Sequence, residues 1–305
     1  MRVATFNCEN LFARYRFGTG ISPYVAGSEG WTIEEQAYHE TSLDTRKITA
    51  LAIRELEADV VCLQEVESLP VLRTFRSRYL GGPRTYPYLF LVDGPDPRHI
   101  DVAVLSRRPI VAGRTWQHLR FGSIELFSRD CLEVDVEPEQ GEVVTLFVNH
   151  FKSMMGGRGE TSPRRRLQAE KVIEIVEGRF GDDPSGGRWI VCGDLNDYRG
   201  TDAEGESAIE ALIDWPACED VVHERLHPDE QWTHHYPKAD KYSQLDYLLV
   251  SKALAEASPA QPEIMRKGLP GRAERYTGER FDDVAYDHGP KASDHAPVAF
   301  DVETG

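Results

Sequence analysis

The chain has 305 residues, of which 40% are hydrophobic and 28% are charged, and its formal net charge at pH 7 is −16. This composition is that of a soluble globular protein, and no apolar run approaches the ~18 residues that a membrane-spanning helix needs. We expect one domain over residues 1–305, because a chain of this length buries enough surface to form a core without disulfide bonds or a structural metal. The strong negative charge counts against non-specific binding of nucleic acid, which normally uses a basic face.

The start of the chain and its cysteines bear on the cellular compartment. Val3–Phe6 has the pattern of a core strand and follows Met1 almost directly, so we expect no basic-then-apolar leader. The five cysteines are odd in number and lack CxxC spacing, and Cys62 and Cys192 lie in apolar strand patterns. Reduced cysteine behaves there as a small hydrophobe, so a cytoplasmic location is expected.

Taken in chain order, the apolar patterns predict alternating strands and helices, then consecutive strands, then the alternation again. Strands are predicted at Arg2–Phe6, Val60–Gln64, Tyr88–Val92, Val102–Ser106, Cys131–Val136, Val143–Asn149, Trp189–Cys192, Leu245–Val250 and Pro297–Val302. Helices are predicted at Thr45–Leu56, Arg165–Gly178 and Ser207–Ile213, the second of them ending at Gly178. This order predicts an α/β protein in which two sheets form a sandwich with helices outside.

Three segments between the predicted elements are long loops: Ala13–Asp44, Gly156–Ser162 and Ala257–Ser293. Loops of this length in a compact domain are usually functional or mobile, and surface decoration is the alternative. The Gly156–Arg166 segment also carries four arginines, which would suit the guidance of a phosphate backbone.

Polar residues lie at the ends of six predicted strands. They are Asn7, Glu65, His150, Asp194 with Asn196, Asp246, and Asp294 with His295. Each alone is ordinary turn chemistry, but together they supply what a metal-dependent phosphoesterase requires. Carboxylate and amide oxygens are the ligands that Mg²⁺ prefers, and histidines exchange protons near neutral pH.

The motifs around these residues resemble those of the endonuclease/exonuclease/phosphatase superfamily, which includes DNase I, exonuclease III, AP endonucleases, neutral sphingomyelinases and inositol-polyphosphate 5-phosphatases. The matching segments, in the family's order, are Thr5–Asn10, Val61–Val66, Asn149–Ser153, Gly193–Asp197, Gln244–Ser251 and Ser293–Val298. They span nearly the whole chain. The resemblance implies a four-layer DNase I-like β-sandwich flanked by helices.

The resemblance also implies a role for each matching residue. Asn7 and Glu65 would hold Mg²⁺, with Mn²⁺ as a substitute, and Asp294 would lie in or beside the coordination sphere. Asp194 and Asn196 would orient the attacking water and the scissile phosphate.

Two histidines complete the implied catalytic set. His295 would contact the phosphate and transfer a proton, with Asp246 fixing its tautomer. His150 would protonate the leaving oxygen or stabilise the phosphorane, and which histidine acts as the base stays open. Weaker substrate contacts are expected at Asn10, Arg107, Asn149 and Lys152.

Three functions remain after this comparison. A nuclease, with nucleic acid as substrate and with no membrane or obligate protein partner, is the first expectation. A small-molecule phosphatase or phospholipid phosphodiesterase is the alternative, and the acidic composition suits it better. A non-catalytic binding protein is least favoured, because such proteins normally lose the acidic residue or a histidine that Glu65 and His295 provide.

Overall fold

The computed structural model describes residues 1–12 and 43–304, together with the short strands Tyr15–Arg16 and His39–Glu40. Within this part of the chain, twelve strands build two large sheets of six strands each. In chain order they are β1 (Arg2–Leu11), β2 (Val60–Val66), β3 (Tyr88–Leu91), β4 (Asp101–Ser106), β5 (Ile110–Arg114), β6 (Cys131–Glu139), β7 (Glu142–His150), β8 (Trp189–Asp194), β9 (Cys218–Asp220), β10 (Asp246–Ser251), β11 (Glu263–Ile264) and β12 (Val298–Asp301).

Each sheet has one parallel pair of strands near its centre. The strand order is β11-β12-β1-β2-β4-β3 in the first sheet and β9-β10-β8-β7-β6-β5 in the second. β1 runs parallel to β2, and β7 runs parallel to β8, whereas the other neighbours are antiparallel. The register sets Asn7 beside Gln64 in one sheet and His150 beside Asp194 in the other. Polar residues therefore lie at the carboxyl ends of all four central strands.

Helices cover the outer faces of both sheets. In the described residues the longer ones are α1 (Leu43–Glu55), α2 (Leu69–Tyr79) and α3 (Arg158–Phe180), and the shorter ones are α4 (Glu210–Ile213), α5 (Val221–Arg225) and α6 (Lys252–Ala257). Single 3₁₀ turns lie at Gly82–Arg84, Pro184–Gly186 and Pro228–Glu230. Two-stranded ribbons pair Tyr15–Arg16 with His39–Glu40, Arg120–Phe121 with Ile124–Glu125, Thr201–Asp202 with Gly205–Glu206, and His234–Tyr236 with Lys241–Ser243.

Along each central strand, side chains alternate between two faces of the sheet. One face packs against the other sheet, and the opposite face packs against the helices. Val60 of β2 and Leu146 of β7 point into the core between the two sheets. Leu63 of β2 packs toward α1 and α2, and Phe147 of β7 packs toward α3. The order helices, sheet, sheet, helices confirms the predicted four-layer sandwich.

Several predicted boundaries are wrong. α3 begins at Arg158, so most of the predicted loop Gly156–Ser162 is helical, and it runs to Phe180, where Gly181 rather than Gly178 forms the cap. The predicted helix Ser207–Ile213 is helical only as α4. The predicted loop Ala13–Asp44 lies almost entirely outside the described residues.

In the part of the chain that the structure describes, none of the helices combines the length and the hydropathy of a membrane-spanning segment.

Pro163 explains why the start of α3 is hidden in the sequence. A proline inside a helix lacks the N–H that would bond to the carbonyl four residues earlier, here that of Gly159. The Ser162 hydroxyl donates to Gly159 O at 2.8 Å and replaces the missing bond. The helix therefore tolerates a residue that normally predicts a loop.

Candidate active site

Asp194, at the end of β8, lies where the edges of the two sheets meet. Its Oδ2 accepts hydrogen bonds from Asn7 Nδ2 of the first sheet at 3.0 Å and from Asn196 Nδ2 at 2.9 Å. Its Oδ1 accepts from the Asn196 backbone N at 2.8 Å, a contact that the left-handed backbone of Asn196 (φ 51°) permits. Asn7 and Asn196 thus hold a carboxylate that is almost fully buried.

Two histidines approach the same carboxylate oxygen. His150 Nε2 lies 3.5 Å from Asp194 Oδ2, and His295 Nε2 lies 3.9 Å from it. Burial raises the pKa of Asp194 to about 7, with the charge on Asp246 adding to this effect and His295 opposing it. A carboxyl group with such a pKa can exchange protons near neutral pH.

A hydrogen-bonded chain holds His295 from behind. Its Nδ1 lies 2.8 Å from Asp246 Oδ2, which also accepts from Thr233 Oγ1 at 2.6 Å. Burial opposes a charge on the ring, but the carboxylates of Asp246 and Asp194 outweigh it and raise the pKa of His295 well above its usual value. With Nδ1 engaged, Nε2 is the nitrogen that faces the open side of the site.

His150 has the opposite electrostatic environment. Burial and the guanidinium of Arg129 hold the pKa of His150 well below its usual value, so the ring is neutral. Arg129 is itself buried and donates from Nε to His150 O at 3.2 Å and from its terminal nitrogen to Phe151 O. The two histidines therefore differ in protonation state at neutral pH.

Carboxylates gather on the side of the site formed by the first sheet. Glu65, in a left-handed conformation (φ 64°), accepts the backbone N–H of Asn10 at 2.9 Å through Oε2. Its Oε1 faces His150 Nε2 at 3.8 Å, beyond hydrogen-bonding distance. Burial and the nearby Asp294 carboxylate raise the pKa of Glu65, as they do for Glu9, whose carboxylate pairs with Lys291.

This oxygen-rich cluster fits a hard divalent cation. A cation would relieve the repulsion between the Glu65 and Asp294 carboxylates, and no residue that the structure describes donates a hydrogen bond to Glu65 Oε1. From residues 1–12 and 43–304, Asn7 Oδ1 accepts one hydrogen bond, that of the Glu9 N–H at 3.0 Å, which leaves a lone pair for a metal. Asn7, Glu65 and Asp294 are thus compatible with the ligand set that the sequence predicts.

A different group of side chains, in the described part of the chain, has the spacing of a metal site. Asp194, Asp246 and His295 offer ligand atoms that all lie within 4.8 Å of one another. Asp246 Oδ2 is already shared between His295 and Thr233. We therefore regard this group primarily as a hydrogen-bonded chain, and assign the cation to the carboxylates on the other side.

Two of the predicted substrate contacts need correction. Arg107 follows β4 at the end of the sheet where β2 begins, and its N–H and guanidinium donate to the carbonyls of Asp59 and Glu57. Glu65 lies at the other end of β2, so Arg107 is not at this site. Asn149 is fully buried on the face of β7 that carries Phe147, opposite to His150, and cannot reach a substrate.

The other two predicted contacts do lie near the cluster. Asn10 is exposed beside Glu65, to which its backbone N–H is bonded. Lys152 follows His150 by two residues and is partly exposed, with its Nζ donating to Ser153 O at 3.1 Å. Burial and several nearby arginines, Arg129 first among them, lower the pKa of Lys152.

The predicted role of the Gly156–Arg166 arginines is largely wrong. The side chains of Arg158 and Arg165 are fully buried, and both donate to Asp197, at 2.8 and 3.0 Å from their Nε atoms. They hold the turn after Asp194 and Asn196 and cannot contact a phosphate backbone. Arg164, half-buried, keeps its positive charge near the surface.

His234 is one of several residues at the site that the sequence-based prediction did not include. His234, in a two-stranded ribbon, forms a backbone bridge with His295, and their rings lie 4.7 Å apart between centroids. His234 Nε2 is 3.9 Å from Asp294 Oδ2. Burial and the His295 charge lower the pKa of His234 to about 3. His234 lies outside the six segments that match the family's motifs, so those motifs gave no signal for it.

Comparison with known proteins identifies the protein family. A model of the Endonuclease/Exonuclease/phosphatase family matches residues 4–295. The chain belongs to this family. Members are in general phosphoesterases and typically depend on a divalent metal, which agrees with the carboxylates and histidines of this site. No curated protein sequence matches the chain.

Solved structures with the same fold cover almost all of the chain. Truncated TDP2 from Caenorhabditis elegans is 16% identical, with a TM-score of 0.59, over 98% of this chain and 95% of that one. An endonuclease/exonuclease/phosphatase from Beutenbergia cavernae is 18% identical, with a TM-score of 0.65, over 100% and 71%. The human nocturnin catalytic domain with a bound sulfate anion is 17% identical, with a TM-score of 0.58, over 100% and 94%. At these identities the likeness establishes the fold alone.

Proposed function

We propose that this protein is a Mg²⁺-dependent nuclease that hydrolyses phosphodiester bonds of nucleic acid. The observation that carries the proposal is the approach of two histidines to one buried carboxylate, with His150 at 3.5 Å and His295 at 3.9 Å from Asp194 Oδ2. Hydrolysis of a diester with a poor leaving group needs both a proton acceptor and a proton donor. The fold also accepts a tetrahedral anion in human nocturnin, whose structure holds sulfate.

The proposed reaction uses the two histidines in different roles. An oxygen–phosphorus bond from water forms while the bond to the leaving oxygen breaks. His150, neutral in its buried setting, accepts the proton of the water, and Asp194 and Asn196 orient that water. His295, paired with Asp246, donates its Nε2 proton to the leaving oxygen. Proton exchange with solvent then restores both rings.

The carboxylate side of the site supplies the metal ligands in this proposal. Asn7, Glu65 and Asp294 would hold Mg²⁺, which when bound stabilises the negative charge of the phosphate oxygens. Part of the formal charge of −16 belongs to this cluster and is neutralised on binding.

A small-molecule phosphatase or phospholipid phosphodiesterase is the second candidate, and the net charge of −16 favours it. The deciding experiment measures hydrolysis of five substrates by the purified protein, each with Mg²⁺, Mn²⁺ or EDTA. The substrates are plasmid DNA, single-stranded DNA, RNA, bis-p-nitrophenyl phosphate and a phosphomonoester. Metal-dependent cleavage of nucleic acid supports the nuclease. Turnover of small esters with intact nucleic acids would replace it by the second candidate.

Removal of metal tests the ligand assignment. We expect EDTA to abolish activity, and Glu65→Gln to raise the Mg²⁺ concentration for half-maximal activity by about tenfold or more, since a neutral amide binds the cation more weakly. Calorimetric titration with Mg²⁺ measures the affinity independently of turnover. Glu139→Gln, which removes the same charge from an exposed strand end, is the control. Equal Mg²⁺ requirements in the two variants would contradict the assignment.

His234 is expected to support the phosphate side of the reaction. We expect His234→Ala to lower kcat/KM about tenfold, because His295 loses the ring packed against it and the site loses a hydrogen-bonding nitrogen. His234→Phe separates the two causes, since it keeps a ring at that position. Recovery in the phenylalanine variant assigns a packing role, and continued loss assigns a polar contact with substrate. Full activity in both variants refutes any role.

A further inference from the structure

An open cleft of about 250 Å³ lies beside the His150 side of the site. The ribbon Arg120–Glu125 forms one wall and the first turns of α3 form the other. Its lining is mainly apolar and includes Phe121, Ile124, Leu126, Lys152, Glu160 and Arg164. Phe121 and Ile124 are 55% and 46% exposed, and both line this one cleft.

The cleft is connected to the catalytic residues through Lys152. This residue lines the cleft and follows His150 by two positions, a chain distance of at most about 7 Å. Gln168 fixes the connection, because its Oε1 accepts the Lys152 N–H at 2.9 Å and its Nε2 donates to Leu126 O at 2.9 Å. The cleft therefore has a fixed position relative to His150.

In the lining of the cleft, cationic side chains outnumber carboxylates although the protein as a whole is acidic. Arg164 donates to the backbone carbonyls of Leu126 and Glu125, at 3.2 and 2.5 Å, and the carboxylates of Asp96 and Glu125 lie close enough to act on its charge. Lys152 donates to Ser153 O and Oγ. Against these two cations the lining has a single carboxylate, Glu160. An anion with an attached apolar group is the ligand that suits such a lining.

We propose that this cleft is a subsite for a nucleotide next to the scissile phosphate, with its phosphate at Lys152 and Arg164 and its base against Phe121 and Ile124. The proposal rests on the nuclease function proposed above and names how the substrate strand is held. A base offers every sequence the same apolar face, so stacking on Phe121 binds a strand without selecting its sequence. The size of the cleft suits one base rather than a longer stretch of strand.

The test compares two single-stranded oligonucleotides of equal length, one with bases and one built of abasic units. We measure Kd by fluorescence anisotropy in EDTA and KM with Mg²⁺ for the wild type and for Phe121→Ala/Ile124→Ala. The wild type is expected to bind the base-containing strand more tightly than the abasic one. In the double variant, the ratio of the two Kd values should fall about tenfold. Lys152→Gln is expected to weaken the binding of both oligonucleotides and to reduce the salt dependence of binding.

Controls at exposed positions elsewhere separate this effect from general damage. Val111→Ala and Tyr286→Ala remove exposed apolar side chains, and Lys238→Gln removes an exposed cation, and all three should leave the preference unchanged. An unchanged preference in the cleft variants, with nucleic acid still cleaved, overturns the subsite but not the nuclease. If the wild type hydrolyses small diesters or phospholipid vesicles and neither binds nor cleaves oligonucleotides, both proposals fall.

Discussion

His295→Ala is expected to lower kcat by a factor on the order of a hundred to ten thousand, with the fold intact. The variant loses the ring nitrogen that the Asp246–Thr233 hydrogen bonds orient toward Asp194, and general acid–base catalysis by such a group contributes a factor of about that size. Initial rates on the best substrate, with circular dichroism to verify folding, measure the effect. His288→Ala is the matched control, because His288 is exposed and its ion-pair contact is with Asp287.

A second variant tests whether Asp246 acts through His295. Asp246→Asn should lower kcat on its own, because the ring loses the carboxylate that orients it and stabilises its charge. The combined variant should be no slower than His295→Ala alone, since residues that act as a unit are not additive. Additive losses would show that Asp246 has a separate role, and activity of His295→Ala near that of the control would remove His295 from the reaction.

Asp197→Ala is expected to lower the melting temperature by about 10 °C. The change leaves the buried guanidinium groups of Arg158 and Arg165 without the carboxylate they share, and an uncompensated buried charge costs about 3–5 kcal/mol. The same turn carries Asn196, so the activity of the folded variant should fall as well. Thermal unfolding by circular dichroism or calorimetry measures the change in stability.

The control for this variant removes a carboxylate from an exposed ion pair. Asp301→Ala breaks the ion pair between Arg2 and the half-exposed Asp301 carboxylate. Surface ion pairs of this type contribute about 0–1 kcal/mol to stability. A shift in Asp197→Ala no larger than that in Asp301→Ala would show that the other partners of the two arginines are enough to satisfy them. Those partners are Asp202, the Thr161 hydroxyl and several backbone carbonyls.

The architecture was predictable because strand alternation and polar strand ends are local features. Asn7, His150 and Asp194 each follow an apolar run, and parallel neighbours bring such ends to one edge of a sheet. β5 was missed because most of its residues are exposed and it contains Gly113. α2 was missed because it buries few apolar residues, although Ser68 caps it and Pro70 lies in its first turn. The division into domains and the cytoplasmic location stay predictions.

The errors at the site arise from contacts between distant parts of the chain. The burial of Arg158 depends on Asp197, which no local pattern connects to it. His234 reaches the site only because its ribbon bridges to His295. Asn149 is different, because strand alternation would have placed it on the face opposite to His150, and this error was avoidable.

The joining of the two sheets at the site has a consequence for refolding. Asn7 and Glu65 come from the first sheet, His150 and Asp194 come from the second, and the Asn7–Asp194 hydrogen bond spans the gap. Neither sheet alone carries a complete set of groups. During renaturation, recovery of enzymatic activity should therefore report the docking of the two halves, and it should lag behind spectroscopic signals that register strand formation within either one.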